Sequence, residues 1–182
     1  MEVKEAVLLA ATELGIVDEV QSYLDNASTE GQKNTELLLT CFNLVENELA
    51  LDYLPLYAED ELTSLTGKIS YSALRHSAVR VLKVTDEWGN NARFTLFPDC
   101  FKTQPGKLKI TYTYTPEKKD IEGESDFTTV SARLFSYGIA AEYATAMGLY
   151  EEAAVWDKKY KEAIDAAYRI SPCVRIQSRR WV

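Results

Sequence analysis

The run Leu37-Leu38-Leu39-Thr40-Cys41-Phe42-Asn43-Leu44-Val45-Glu46-Asn47-Glu48-Leu49-Ala50-Leu51 decides the architecture. Leu38, Cys41, Phe42, Val45 and Leu49 recur at helical spacing and make one apolar stripe. Leu37, Leu44 and Leu51 make a second stripe, offset by roughly 100° around the helix axis. Asn34 or Thr35 is placed to cap such a helix and Pro55 to stop it, so the spacing predicts one long helix over 34–54. A helix apolar over so wide an arc is buried on more than one side, against its own core or against a neighbouring subunit.

On the N-terminal side, Val3, Ala6, Val7, Ala10 and Leu14 predict a first helix over 2–14, ended by Gly15, and Val17 to Leu24 a short second one. Beyond Pro55 the period changes from 3.6 to 2. Leu108, Ile110, Tyr112 and Tyr114 alternate with polar residues through 107–114, and 79–84, 92–97 and 68–71 read as further strands. Asp86 to Asn91 reads as the turn between two of them. A β insertion is therefore expected over 56–116. Helical periodicity returns over 126–169, with Asp126 as a cap, a small-residue face at Gly138, Ala140, Ala141 and Ala144, and Gly148 separating two helices of an αα-hairpin. The stripe of the second is Ala153, Trp156, Tyr160, Ala163, Ile164 and Ala167. The expected fold class is α+β: a helical bundle, made of the long helix and the C-terminal αα-hairpin, with an inserted small antiparallel β-sheet and an extended C-terminal tail. One domain over 1–170 is followed by a basic arm over 171–182.

The 182 residues carry a net charge of −8, but the charge is segregated. Residues 34–67 hold seven acids and no base, 68–119 hold ten bases and four acids, and 171–182 hold three arginines and no acid. A net acidic chain is a poor nonspecific DNA binder, because phosphate contacts need positive surface. No apolar run approaches the ~20 residues of a membrane span, and the first residues, with Glu2 and Glu5, predict no secretion signal. Cys41, Cys100 and Cys173 are scattered, as reduced cytosolic thiols would be. With one histidine and no paired cysteines, neither zinc nor another metal is expected, nor any cofactor.

Catalytic chemistry finds no engine in these residues. His76 lies in Leu74-Arg75-His76-Ser77 without a nucleophile elbow and reads as a loop or surface histidine. The acidic pairs, such as Glu46 with Glu48 and Glu151-Glu152, read as solvated faces and helix starts, and no phosphate-binding glycine loop is present. The chain is expected not to be an enzyme. The αα-hairpin superficially copies one tetratricopeptide unit, but a solenoid needs about three. Arg175, Arg179, Arg180 and Trp181 are the residue types that dominate binding hot spots. They read either as a free end or as an arm that orders on a partner, with nucleic acid as a weaker candidate. Glu46, Glu48, Asp52 and Glu59, in the base-free block, are the candidate surface for such an arm from another copy.

The order of parts resembles the head–tail connector proteins of tailed bacteriophages. The stretches that carry the likeness are Phe42-Asn43-Leu44-Val45-Glu46-Asn47-Glu48-Leu49-Ala50, Ala132-Arg133-Leu134-Phe135-Ser136-Tyr137-Gly138-Ile139-Ala140-Ala141-Glu142-Tyr143 with Gly148-Leu149-Tyr150-Glu151-Glu152-Ala153, and the closing Arg179-Arg180-Trp181-Val182. The resemblance implies a structural virion protein at the head–tail junction, assembled in the host cytoplasm. It implies a homo-oligomeric ring, commonly of twelve copies, that binds portal protein and tail components. DNA would pass through the ring without specific binding. The alternative reading is a cellular protein-interaction module built on the helical hairpin.

Overall fold

Gln32–Glu48 is the long helix the leucine run calls for, and among the described residues it is the third of five α-helices in a mixed helix and strand fold with small antiparallel sheets. The computed structural model describes residues 1–26, 29 and 31–170; the basic arm over 171–182 lies outside the described residues. In chain order the elements are α1 (Val3–Glu13), α2 (Val17–Asn26), α3 (Gln32–Glu48), a π-helical turn (Leu49–Tyr53), β1 (Leu56–Ser64), β2 (Lys68–Ser70), β3 (Ala78–Asp86), β4 (Thr95–Leu96), β5 (Cys100–Lys102), β6 (Gly106–Tyr114), α4 (Ala132–Ala146) and α5 (Tyr150–Ile170). They form two compact units. One comprises Met1–Phe42 and the chain from Thr129 on; the other is the inserted segment Asn43–Thr128.

The first unit is helical. α4 packs against α1 and α5, and α1 against α2. The predicted face of α1 is the buried one: Val3, Ala6, Val7 and Ala10 are sealed from solvent. The helix ends as its glycine dictates. Gly15 sits at φ 74°, its N–H donates to Thr12, and Ile16 N–H reaches back to Ala11 at 2.9 Å. Gly148 repeats the device between α4 and α5, with Leu149 N–H bonded to the Ala144 carbonyl at 2.9 Å. Phe42 stacks on Phe135 at 5.1 Å, joining α3 to α4, while buried Gly138, Ala140, Ala141 and Ala144 keep the helices close.

Several boundaries move. α3 begins before Asn34 and Thr35, whose side chains serve other contacts: Asn34 donates to Glu19 and accepts from the Tyr143 hydroxyl, and Thr35 donates to the Gly31 carbonyl. Its α-helix stops at Glu48 and widens into the π turn, closed by Leu54 N–H on the Leu49 carbonyl at 2.6 Å, before Pro55 forces extended backbone. The first leucine stripe is buried as expected. In the second, Leu37 is half-buried, but Leu44 and Leu51 stand 53% and 49% exposed. α4 starts at Ala132, not near Asp126. Its N-cap is Ser131, whose hydroxyl accepts from Leu134 N–H. The Asp126 carboxylate is instead paired with Lys119 at 2.6 Å, and its backbone N–H donates to Glu46.

The inserted unit holds two three-stranded antiparallel sheets, ordered β1-β6-β3 and β2-β5-β4, where the sequence suggests one. One apolar cluster joins them: Val81, Val84, Leu108, Ile110 and Tyr112 from the first sheet with Ile69 and Phe101 from the second. β6 shows the predicted alternation, burying Leu108, Ile110 and Tyr112. The strand expected over 92–97 shrinks to Thr95–Leu96, because Asn91 and Ala92 close the end of β3 instead; Ala92 N–H donates to the Val84 carbonyl at 2.9 Å. β1 is absent from the sequence expectation, yet it pairs with β6 over nine residues without a register break.

Ala140 is fully buried on the small-residue face. Replacing it with leucine inserts methylenes where the core has no room, and overpacking costs about 1–3 kcal/mol. Chemical denaturation of Ala140→Leu is expected to show that loss; wild-type stability would mean the face tolerates volume.

Candidate functional site

The inserted unit contains the charged constellations, and each begins from a carboxylate on the acidic segment. Asp60 occupies an inward position of β1, between Ala58 and Leu62, and is buried. Its Oδ2 accepts from the Tyr112 hydroxyl at 2.8 Å and from Arg75 N–H at 2.8 Å, and its Oδ1 lies 3.6 Å from the Arg75 guanidinium. Burial disfavours the charged form, but these donors together outweigh it and hold the carboxyl below its ordinary pKa. The Tyr112 hydroxyl in turn accepts from His76 N–H at 3.2 Å. The His76 ring stacks on Tyr114 at 4.3 Å, and among the described residues no serine or cysteine hydrogen-bonds it. The arrangement ties β1 and the 74–76 loop to β6; it does not assemble a nucleophile with a base.

Glu46 is only 1% exposed. Its Oε1 accepts from Ser125 Oγ at 2.7 Å and from Asp126 N–H at 3.0 Å. Burial raises its pKa, and the hydrogen bonds and Lys119 offset this only in part. Beside it, Asn43 and the Lys119 backbone exchange two hydrogen bonds, and Lys119 Nζ meets Asp126 at 2.6 Å. These contacts fasten the segment before α4 to the second half of α3. Glu46 is thus a structural peg rather than an acceptor for a partner's arginine, because its carboxylate is turned inward and already bonded. Its place on the apolar stripe, four residues after Phe42, was the readable signal.

The other candidates lie apart from it. Glu59 is exposed on the outer face of β1, with Lys109 at 2.6 Å and the Thr111 hydroxyl donating at 3.2 Å. Lys109 holds its carboxyl below the usual pKa. Glu61 pairs likewise with Lys107 at 3.1 Å. Glu48 is half-buried on the last turn of α3, and Asp52 is exposed on the π turn. Arg175, Arg179, Arg180 and Trp181 lie outside the described residues, as does Cys173.

Two features escaped the sequence reading. One is the end of the first sheet, where the β1–β2 turn carries Leu65 and the β3–β4 turn carries Trp88, 77% exposed. The other is the contrast between the two edges of that sheet. β3 is broken by two register shifts and covered at its end by residues 90–92, whereas β1 is regular and, among the described residues, pairs only with β6. In the helical unit, a surface groove of about 510 Å³ is lined chiefly by Val130, Leu134, Tyr137, Ala163, Ala166 and Ala167. Cys41 and Cys100 are buried thiols, and burial pushes Cys41 up to about 12, far from a reactive thiolate. Among the described residues no cluster of three or more metal-ligating side chains occurs, and no helix is long and apolar enough to cross a membrane. No protein-family model matches the chain, and no curated protein matches it significantly.

The two buried carboxylates give opposite pH signatures. Asp60, held below its ordinary value of 3.8, stabilises the fold above that pH, and the contribution is lost as pH falls through its folded-state value. Asp60→Asn should flatten the acid limb of the stability–pH profile; an unchanged limb would contradict the pairing. Glu46, raised above 4.5, penalises the fold as pH climbs from that value through its folded-state pKa. Relative to Glu46→Gln, the wild type should therefore be more stable in acid than at neutral pH. Glu46→Ala strands the Ser125 and Asp126 donors and should cost about 1–3 kcal/mol in acid, and less at neutral pH. Equal pH profiles for wild type and Glu46→Gln would refute this.

Proposed function

We propose that this chain is a structural virion protein, one subunit of a ring that joins the portal to the tail of a tailed bacteriophage. In this reading the fold is a connector fold: a helical bundle with a β insertion and an extended basic arm. One observation carries the proposal. A β unit, Asn43–Thr128, is inserted through the long helix into a helical unit that closes with an αα-hairpin, the same order of parts on which the resemblance rests.

Three further features support it. The buried titratable groups of the inserted unit are engaged in fastening its segments together, work that suits a brick better than a catalyst. Leu44 and Leu51 stand exposed along one side of α3 and its π turn, where a neighbouring subunit would cover them. The net charge of −8 suits a channel wall, since like charge keeps phosphates from sticking. The ring would bind portal protein and tail components without a cofactor.

The exposed Met147, Leu149, Tyr150 and Val155 around the start of α5 favour a second reading, a cellular module whose helical hairpin binds another protein. One experiment separates the two. The purified chain, alone and with portal protein, is followed by light scattering and negative-stain microscopy. Rings, or comigration with portal, are expected. A chain that stays monomeric and ignores portal contradicts the connector reading and leaves the module.

A further inference from the structure

The first sheet has two edges, and only one is interrupted by bulges and covered by another segment. β3 carries two register shifts, and its end is covered by residues 90–92. Bulges and covers of this kind are how proteins blunt a sheet edge. β1 has neither. Its nine residues run in unbroken register with β6, and among the described residues no strand lies on its other side. Every second residue of β1 therefore directs its N–H and C=O outward.

The faces of β1 specify what can be added. Its outward side chains are Tyr57, Glu59, Glu61 and Thr63; its inward ones include Ala58 and Leu62. Residues 173–180 alternate in part: Cys173, Arg175, Gln177 and Arg179 stand at one parity, and Val174, Ile176, Ser178 and Arg180 at the other, so the apolar pair comes first and Arg180 reaches past it. Side chains on the same face of adjacent strands meet at about 5 Å. Laid on β1, Arg175 and Arg179 fall on the row of Glu59 and Glu61, and the valine and isoleucine on the apolar row. Lys107 and Lys109 reach these glutamates from β6, at 3.1 and 2.6 Å, so an arginine added at the edge would share each carboxylate with a lysine, and the charges would set register more than affinity. Two β1 edges facing each other would oppose glutamate to glutamate, so the same charges discourage self-pairing.

We infer that the open edge of β1 receives residues 173–180 of a second copy as an added strand. The inference rests on the ring reading. A ring interface joins two unlike surfaces of the same chain, and an edge in one copy and an arm in the next are such a pair. Main-chain hydrogen bonds supply the affinity, and the alternating side chains the register.

The test uses the full chain, with light scattering and residue-resolved hydrogen exchange across a concentration series. Assembly should slow the exchange of alternate β1 amides at least about tenfold, as it does when strand hydrogen bonds form. Ile176→Pro, which cannot sit in a paired strand, and Arg175→Glu with Arg179→Glu should each raise the concentration for assembly at least about tenfold and abolish that protection. Assembly without protection of β1, or unaffected by both variants, overturns the docking and leaves the ring reading standing. Protection that persists undiminished in the dilute monomer means that the chain's own arm occupies the edge, which also overturns the inference. A chain monomeric at every concentration overturns both.

Discussion

The inserted unit depends on one buried carboxylate. Asp60 stands where an apolar residue would ordinarily sit, facing inward from β1, and a lone charge there would be prohibitive. It is tolerable because Tyr112 and Arg75 both reach it. Tyr112 is itself a buried core residue of the apolar cluster, so the bond couples the acid to the packing of both sheets. Breaking it would strand the charge and release β1 and the 74–76 loop together. Inward-facing charge is also a known guard against indiscriminate edge pairing, so one residue serves both cohesion and selectivity.

Part of the charge segregation that marks the sequence is resolved inside the chain. Asp60, Glu59 and Glu61 from the base-free segment meet Arg75, Lys109 and Lys107 from the basic one, all within the inserted unit. Segregation along the chain becomes juxtaposition across an antiparallel pair, because β1 comes from one block and β6 from the other. This narrows the idea that opposite blocks exist only to bind other copies. The ladder on the outer face is exposed and screened, so it contributes little to stability. Its value lies in register and in choosing which strand can be added at the edge.

How much of this was legible follows from how far each signal reaches. α1, the end of α1 at Gly15 and the turn at Gly148 depend on neighbours within a few residues, and their patterns stand in the sequence. β6 was legible because both its faces keep a strict alternation. β1 was not, because Asp60 interrupts its apolar row and the partner that explains it, Tyr112, lies 52 residues away. The start of α4 was misplaced because Asp126 has the chemistry of a cap, but its carboxylate is taken by Lys119 while Glu46, 80 residues earlier, anchors its N–H. The open edge of β1 was invisible too, since an edge is defined by which strands pair, not by the strand itself. Long-range polar pairing, not local propensity, separates what the sequence reveals from what it withholds.

β1 is pinned on one side by β6 and, among the described residues, open on the other. Residue-resolved hydrogen exchange of the dilute monomer reads this directly. Slow exchange at every second amide between Leu56 and Ser64, with fast exchange at those between, is the predicted result. Uniformly fast exchange would mean that Asp60 and Tyr112 do not hold the strand, and uniformly slow exchange would mean that the edge is already covered.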